Sequence, residues 1–226
     1  MLYVDCMKNN INMLVWLLFA TLAASAFAQK ADFEYDTPEG WRSETMKLPL
    51  PFAPDMKFRG LDELRFAPGM FKSDRDDFFT YMFVMSLEPG QEVTEQVIKK
   101  EFLAYYRGIA KVVGKQAKDD VAKFSLAMKK NPKASKTPKD VQEPVEYHAE
   151  LTWVEPFVTR KSHELKLEIQ SFSFADSDRD YLFVCASPQP RTHDIWTKMR
   201  GFRESLRMKE KTMKQDGSQA KEAATP

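Results

Sequence analysis

The stretch "SDRDDFFTYMFVMSLEPG", residues 73–90, decides the fold. Four polar residues lead into "FFTYMFVMSL" at 78–87, which is apolar at nearly every position, and Pro89-Gly90 closes it. A strand with one wet face alternates apolar and polar residues, so a run without alternation suits a strand covered on both faces. Residues 177–190, "SDRDYLFVCASPQP", echo this stretch: the same tetrapeptide, an apolar run, then Pro188 and Pro190. Each run hands on to a helix after its prolines. The pair therefore reads as scaffolding, with polar turns feeding central strands. Ser and Asp suit such turns because their side chains satisfy local backbone donors. One shared tetrapeptide is a weak sign of duplication, strengthened somewhat by the shared sequel. A metal loop fits less well. Asp176, Asp178 and Asp180 are spaced as at the start of a calcium loop, but Tyr181 stands where the sharp turn needs Gly and Ser187 where a bidentate Glu belongs.

Working outward, "FEYD" (33–36), "SETMKLPL" (43–50) and "LDELRF" (61–66) read as short strands ended by Pro or Gly. Ile98, Phe102, Tyr105, Ile109 and Val113 recur at three- and four-residue steps and predict a helix over about 93–113. Gly108 weakens it and Gly114 stops it. "VAKFSLAM" (121–128) reads as a strand, and the Lys-, Pro- and Ser-rich residues 129–144 as a long loop. "VEYHAELTWV" (145–154) alternates strictly, with Val145, Tyr147, Ala149, Leu151 and Trp153 on the buried face. "ELKLEIQSFSF" (164–174) changes apolar parity between Ile169 and Phe172, which calls for a bulge or a change of neighbour. A last helix over about 193–206 carries the stripe Ile195, Met199, Phe202 and Leu206.

Residues 11–28, "INMLVWLLFATLAASAFA", follow Lys8 and end in Ala26-Phe27-Ala28, a small-x-small cleavage site before Gln29. This is the pattern of a secretory signal peptide. An uncleaved anchor is the rival reading, although a span wants about 20 apolar residues and Asn12 interrupts this run. Asp5 is out of place in the leader, and a start at Met7 would be more ordinary than one at Met1. No lipobox cysteine sits near the site. The expected organisation is a signal peptide (1–28), one α+β domain (29–207) and a disordered tail (208–226) poor in large apolar residues. The expected location is the periplasm or the exterior.

Lys and Arg number 34 against 33 Asp and Glu, a net charge of +1. So balanced a chain lacks the basic surface that general nucleic-acid binding needs. The Lys-rich residues 115–139 hold a single aromatic, Phe124, too little for a base-stacking platform. Of the two cysteines, Cys6 falls in the leader, so the mature chain forms no internal disulfide. Cys185 lies among apolar sequence neighbours and reads as a small buried hydrophobe.

This layout resembles the PsbP-like family over about residues 33–206: "FEYDTPEGW", short strands, a central strand, a long helix, more antiparallel strands, and a last helix after "YLFVCASPQP". The local motif is Pro38-x-Gly40-Trp41. The resemblance implies an antiparallel sheet sandwiched with helices, and a binding or accessory module rather than an enzyme. It places no functional residue here.

No G-x-S-x-G, H-E-x-x-H or Gly-rich phosphate loop occurs in the sequence. The best constellation is Glu146-His148-Glu150, two carboxylates and an imidazole on one strand face. The plain reading is the wet face of a sheet, since a metal would need ligands from another element. The turn "VEPFVTRKSH" (154–163) sets Phe157 and Val158 beside Arg160, Lys161 and His163. It reads either as an exposed partner anchor or as a connection whose Phe157 folds back onto the sheet. No residue is assigned a catalytic, cofactor-binding or metal role, and no cofactor is implied. The expected function is an exported, non-enzymatic binding or accessory module for an unknown protein or small-molecule partner in the cell envelope, with no membrane span expected once the signal is cleaved. A motif-free envelope hydrolase and a structural envelope protein stand as alternatives.

Overall fold

The computed structural model describes residues 31–133 and 136–209. The signal-peptide reading and the tail from residue 210 onward lie outside the described residues. The strands are β1 (Phe33–Glu34), β2 (Arg42–Leu48), β3 (Gly60–Phe66), β4 (Tyr81–Leu87), β5 (Ser125–Lys130), β6 (Val141–Val154), β7 (Ser162–Phe174), β8 (Asp180–Ser187) and β9 (Arg207–Met208). The helices are α1 (Glu95–Val112), α2 (Lys118–Ala122) and α3 (Asp194–Glu204). Seven strands form one antiparallel sheet in the order β2-β3-β4-β8-β7-β6-β5. This is the α+β class expected, an antiparallel sheet packed with helices. Among the described residues no helix is long and apolar enough to cross a membrane.

The two echoed strands, β4 and β8, lie side by side at the centre of the sheet, Phe83 opposite Val184. Each is apolar throughout because a separate core covers each face. Phe83, Met85, Val184 and Ala186 point into the core shared with α1. Met82, Val84, Phe183 and Cys185 point into the core shared with α3. The same division explains the parity change in β7. Leu165, Leu167 and Ile169 belong to the first core, and Phe172 and Phe174 to the second. The β7–β8 register runs unbroken, so a change of neighbour, not a bulge in β7, is responsible. The irregularity sits in the partner strand β6, between Gln142 and Val145.

The SDRD turns are held by local hydrogen bonds. Asp77, just after the first tetrapeptide, accepts from the Gly69 amide and from Arg75 Nε, both at 2.8 Å. In the second, the Ser177 hydroxyl accepts from the Arg179 amide at 3.2 Å, and Arg179 Nη1 donates to the Leu87 carbonyl at 3.3 Å. The second turn is thereby tied to the end of the strand that the first one feeds.

Helix α1 starts at Thr94, whose hydroxyl accepts from the Val97 amide at 3.4 Å, and buries Ile98, Phe102, Tyr105 and Ile109 as expected. Gly108 is a packing residue. A Cβ there would lie 2.3 Å from the Phe52 carbonyl oxygen and 2.8 Å from Ala53 Cα. Alanine improves helix propensity by about 1 kcal/mol, but driving backbone apart costs about 1–3 kcal/mol. Gly108→Ala is therefore expected to lower the denaturation midpoint despite the better helix former. A raised midpoint would show that the helix and the 52–53 segment can separate at no cost.

Four expectations need correction. Residues 118–122 form a helical turn rather than the start of a strand, because Val121 reaches the core from it. The 129–144 loop shrinks, since β5 runs to Lys130 and β6 begins at Val141. The buried face of α3 consists of Trp196, Met199 and Arg203, with Ile195 and Phe202 only half-buried and Leu206 buried past the helix end. Finally, Phe33 pairs with Met208, and the Lys209 amide donates to the Asp32 carbonyl at 2.9 Å. The fold thus extends two residues beyond 207, and backbone pairing compensates for a segment with little apolar content.

Candidate functional site

Glu146-His148-Glu150 is not a wet face. Glu146 is 1% exposed and Glu168, from β7, likewise. Helix α3 covers this side of the sheet and brings two arginines to it. Arg200 forks onto Glu168, Nε to Oε2 at 2.9 Å and Nη2 to Oε1 at 2.6 Å. Arg203 is 0% exposed, and its Nη1 lies 3.4 Å from Glu146 Oε2. His148 stands opposite Glu168 in the ladder, its Nε2 3.3 Å from Glu146 Oε1. Asn131 Nδ2 donates to the same oxygen at 2.7 Å. Glu150 alone is exposed, paired with Arg191 at 3.2 Å. A second element does supply a carboxylate, Glu168, but arginines occupy both buried acids. Among the described residues no group of three or more His, Cys, Asp or Glu is spaced for a metal.

Cys185 sits beside this network. Its cross-strand neighbour is Glu168, so its spatial surroundings are less apolar than its sequence neighbours. Burial pushes the thiol up to about 12, and the nearby Arg203 only partly opposes this. The thiolate that a nucleophile requires is thus strongly disfavoured.

The 155–161 turn is organised from within. The Glu155 carboxylate accepts from the amides of Phe157, Val158 and Thr159 and from the Thr159 hydroxyl. This folds Phe157 inward, 8% exposed, against Phe71 and Phe79. The partner anchor that the sequence allowed is overturned: Phe157 belongs to the core, and Val158 is the exposed apolar residue of the pair.

Phe157 helps to shape a narrower feature. Between β2–β3, α1 and the loop after β3 lies an apolar crevice of about 30 Å³, walled by Met46, Phe66, Phe71, Tyr105, Ile109 and Phe157 among others. That is room for a water or two, or for one slim side-chain tip. Met46, Phe66 and Phe71 are half-buried, so its walls reach the surface. Glu44 is the one carboxylate among those walls, and burial raises its pKa. Asp62 lies on the same face. On β3 it shares parity with Leu64 and Phe66, and its ladder partners are Met46 and Met85. It is 0% exposed, and neither carboxylate oxygen has a hydrogen-bond partner among the described residues. Burial, then Glu44 and Glu63, hold its pKa well above the usual carboxylate range. Tyr81 and Tyr106 join hydroxyls at 2.7 Å on the inner wall.

Sequence reasoning passed over Asp62, Glu44, Glu168, Arg200 and Arg203. One signal was available. Side chains alternate faces along a strand, so in "LDELRF" Asp62 shares the face of Leu64 and Phe66, an acid where an apolar residue belongs.

A wider, open groove of about 640 Å³ lies between the first SDRD turn and the start of α3. Several of its groups already serve the fold. Arg75 is held by Asp77, and His193 caps α3 by accepting from the Ile195 amide at 3.2 Å.

No family model matches the chain, and no curated protein matches it. Among solved structures, the solution structure of cyanobacterial PsbP (CyanoP) from Synechocystis sp. PCC 6803 aligns over 84% of this chain and 99% of its own, with 11% identity and a TM-score of 0.35. This is a likeness of layout, and no residue role passes through it to this chain.

Proposed function

We propose that this chain is an exported, non-enzymatic binding module, and that the crevice between β2–β3 and α1 receives an apolar group of its ligand. One observation carries the reading: a narrow apolar cavity whose walls reach the surface, with a carboxylate among them. Ligand sites are typically apolar recesses with few, placed polar groups. The ion pairs beneath α3 support a non-catalytic role for the residues that most resembled a catalytic cluster. The apolar run at 11–28 with its Ala26-Phe27-Ala28 site supports export.

Methionine methyl groups give the test, since Met46 and Met70 both line the crevice. Titrating purified protein with n-butanol should shift the Met46 and Met70 methyl resonances and leave Met82, in the opposite core, unmoved. Met46→Trp, which fills the space, should abolish the response at Met70. No shift at either crevice methyl in the wild type would refute the reading.

A further inference from the structure

Resting on that crevice, we propose that its ligand carries a primary alkylammonium group, which Asp62 and Glu44 receive. A fully buried carboxyl with both oxygens unpartnered, such as Asp62, is costly, and native folds rarely keep one without a use. Among the described residues nothing in the sheet compensates it. Its ladder partners Met46 and Met85 are apolar, and its nearest charged neighbours, Glu44 and Glu63, repel it. What it lacks is a donor, and preferably a positive one.

The crevice lies on Asp62's face of the sheet, walled by its strand and ladder neighbours rather than by Asp62 itself. Asp62 shares its strand face with Leu64 and Phe66, and Met46 lies directly across from it; all three line the crevice. Burial, and then the Asp62 carboxyl, raise the pKa of Tyr105, which lines the crevice. A second acid, Glu44, stands among the walls, so acidic groups run from the walls of the crevice to the buried Asp62, and an ammonium would favour their ionised forms. The shape selects within the cations. A crevice of about 30 Å³ whose walls reach the surface suits the slim end of a methylene chain with a compact –NH₃⁺ better than a planar guanidinium or a bulky quaternary ammonium. The walls suit the chain, and the three N–H donors suit acids with free lone pairs.

The experiment compares butylammonium, n-butanol and tetramethylammonium on the purified protein, read at the Met46 and Met70 methyl resonances. Butylammonium is expected to bind at least about tenfold more tightly than butanol, which is the scale of a charge-assisted pair. Tetramethylammonium should not bind. Asp62→Asn, close in shape but unable to carry charge, should remove the advantage while butanol binding persists. Glu44→Gln should reduce it partly, and being nearer the surface it keeps the test open if Asp62→Asn fails to fold. A blocked peptide with one central lysine distinguishes two sources of the group. Binding tighter than butylammonium, with shifts along the outer edge of β2, would indicate a partner's lysine, and equal or weaker binding a free amine. If butanol binds and butylammonium shows no preference, the crevice stands and the ammonium assignment falls. If neither moves the crevice methyls, both fall together.

Discussion

Trp196→Ala is expected to destabilise the domain by about 3–5 kcal/mol, a large share of the roughly 5–15 kcal/mol that holds a typical domain. The indole is 0% exposed at the centre of the second core, beside Met199. Its Nε1 donates to the Gln189 carbonyl at 3.1 Å, and the Arg191 guanidinium lies 5.8 Å from its ring centre. Truncation opens a cavity between α3 and the sheet and removes the donor to the Gln189 carbonyl. The periodicity of the sequence instead nominates Phe202, which the structure leaves half-buried against Trp41. Phe202→Ala should therefore cost clearly less. Urea unfolding followed by circular dichroism separates the two. A larger loss for Phe202→Ala would mean that α3 lies rotated from its described face.

Glu146→Leu is expected to cost about 3–5 kcal/mol, because it leaves a buried guanidinium without its counter-charge. Arg203 has no exposure to turn toward, and none of its nitrogens has a hydrogen-bond partner among the described residues apart from the ion pair with Glu146. Desolvating both ions already offsets much of their attraction. The double change Glu146→Leu with Arg203→Met should thus recover most of the loss, as a volume-matched apolar pair removes both penalties. Asn131, freed by the change, lies on the partly exposed approach to the β5–β6 hairpin and can turn to water. A double variant as unstable as the single would show that the network fixes the position of α3 by more than charge compensation.

Much of the fold was legible because it is local. Runs such as "TYMFVMSL" and "YLFVCA" carry their double burial in the absence of alternation. The stripe Ile98, Phe102, Tyr105 and Ile109 declares α1, and the strict alternation from Val145 to Trp153 declares the inner face of β6. What those patterns cannot show is what covers the other face of a strand. Glu146 looks like a solvent residue until α3 is laid over it, and Arg203 looks like the polar side of α3 until Glu146 meets it. Each is buried on account of the other, and they are far apart in the chain.

The sequence by itself determined the class of the fold, its two central strands and the helix that packs on one face, because hydrophobic periodicity is a property of neighbours along the chain. Only the tertiary structure decided the rotation of α3, the pairing of Phe33 with Met208, the inward turn of Phe157 and the crevice beside Asp62. Each of these depends on a contact between distant segments. A charge is expensive to bury alone and tolerable when matched, so where it sits is set by its partner.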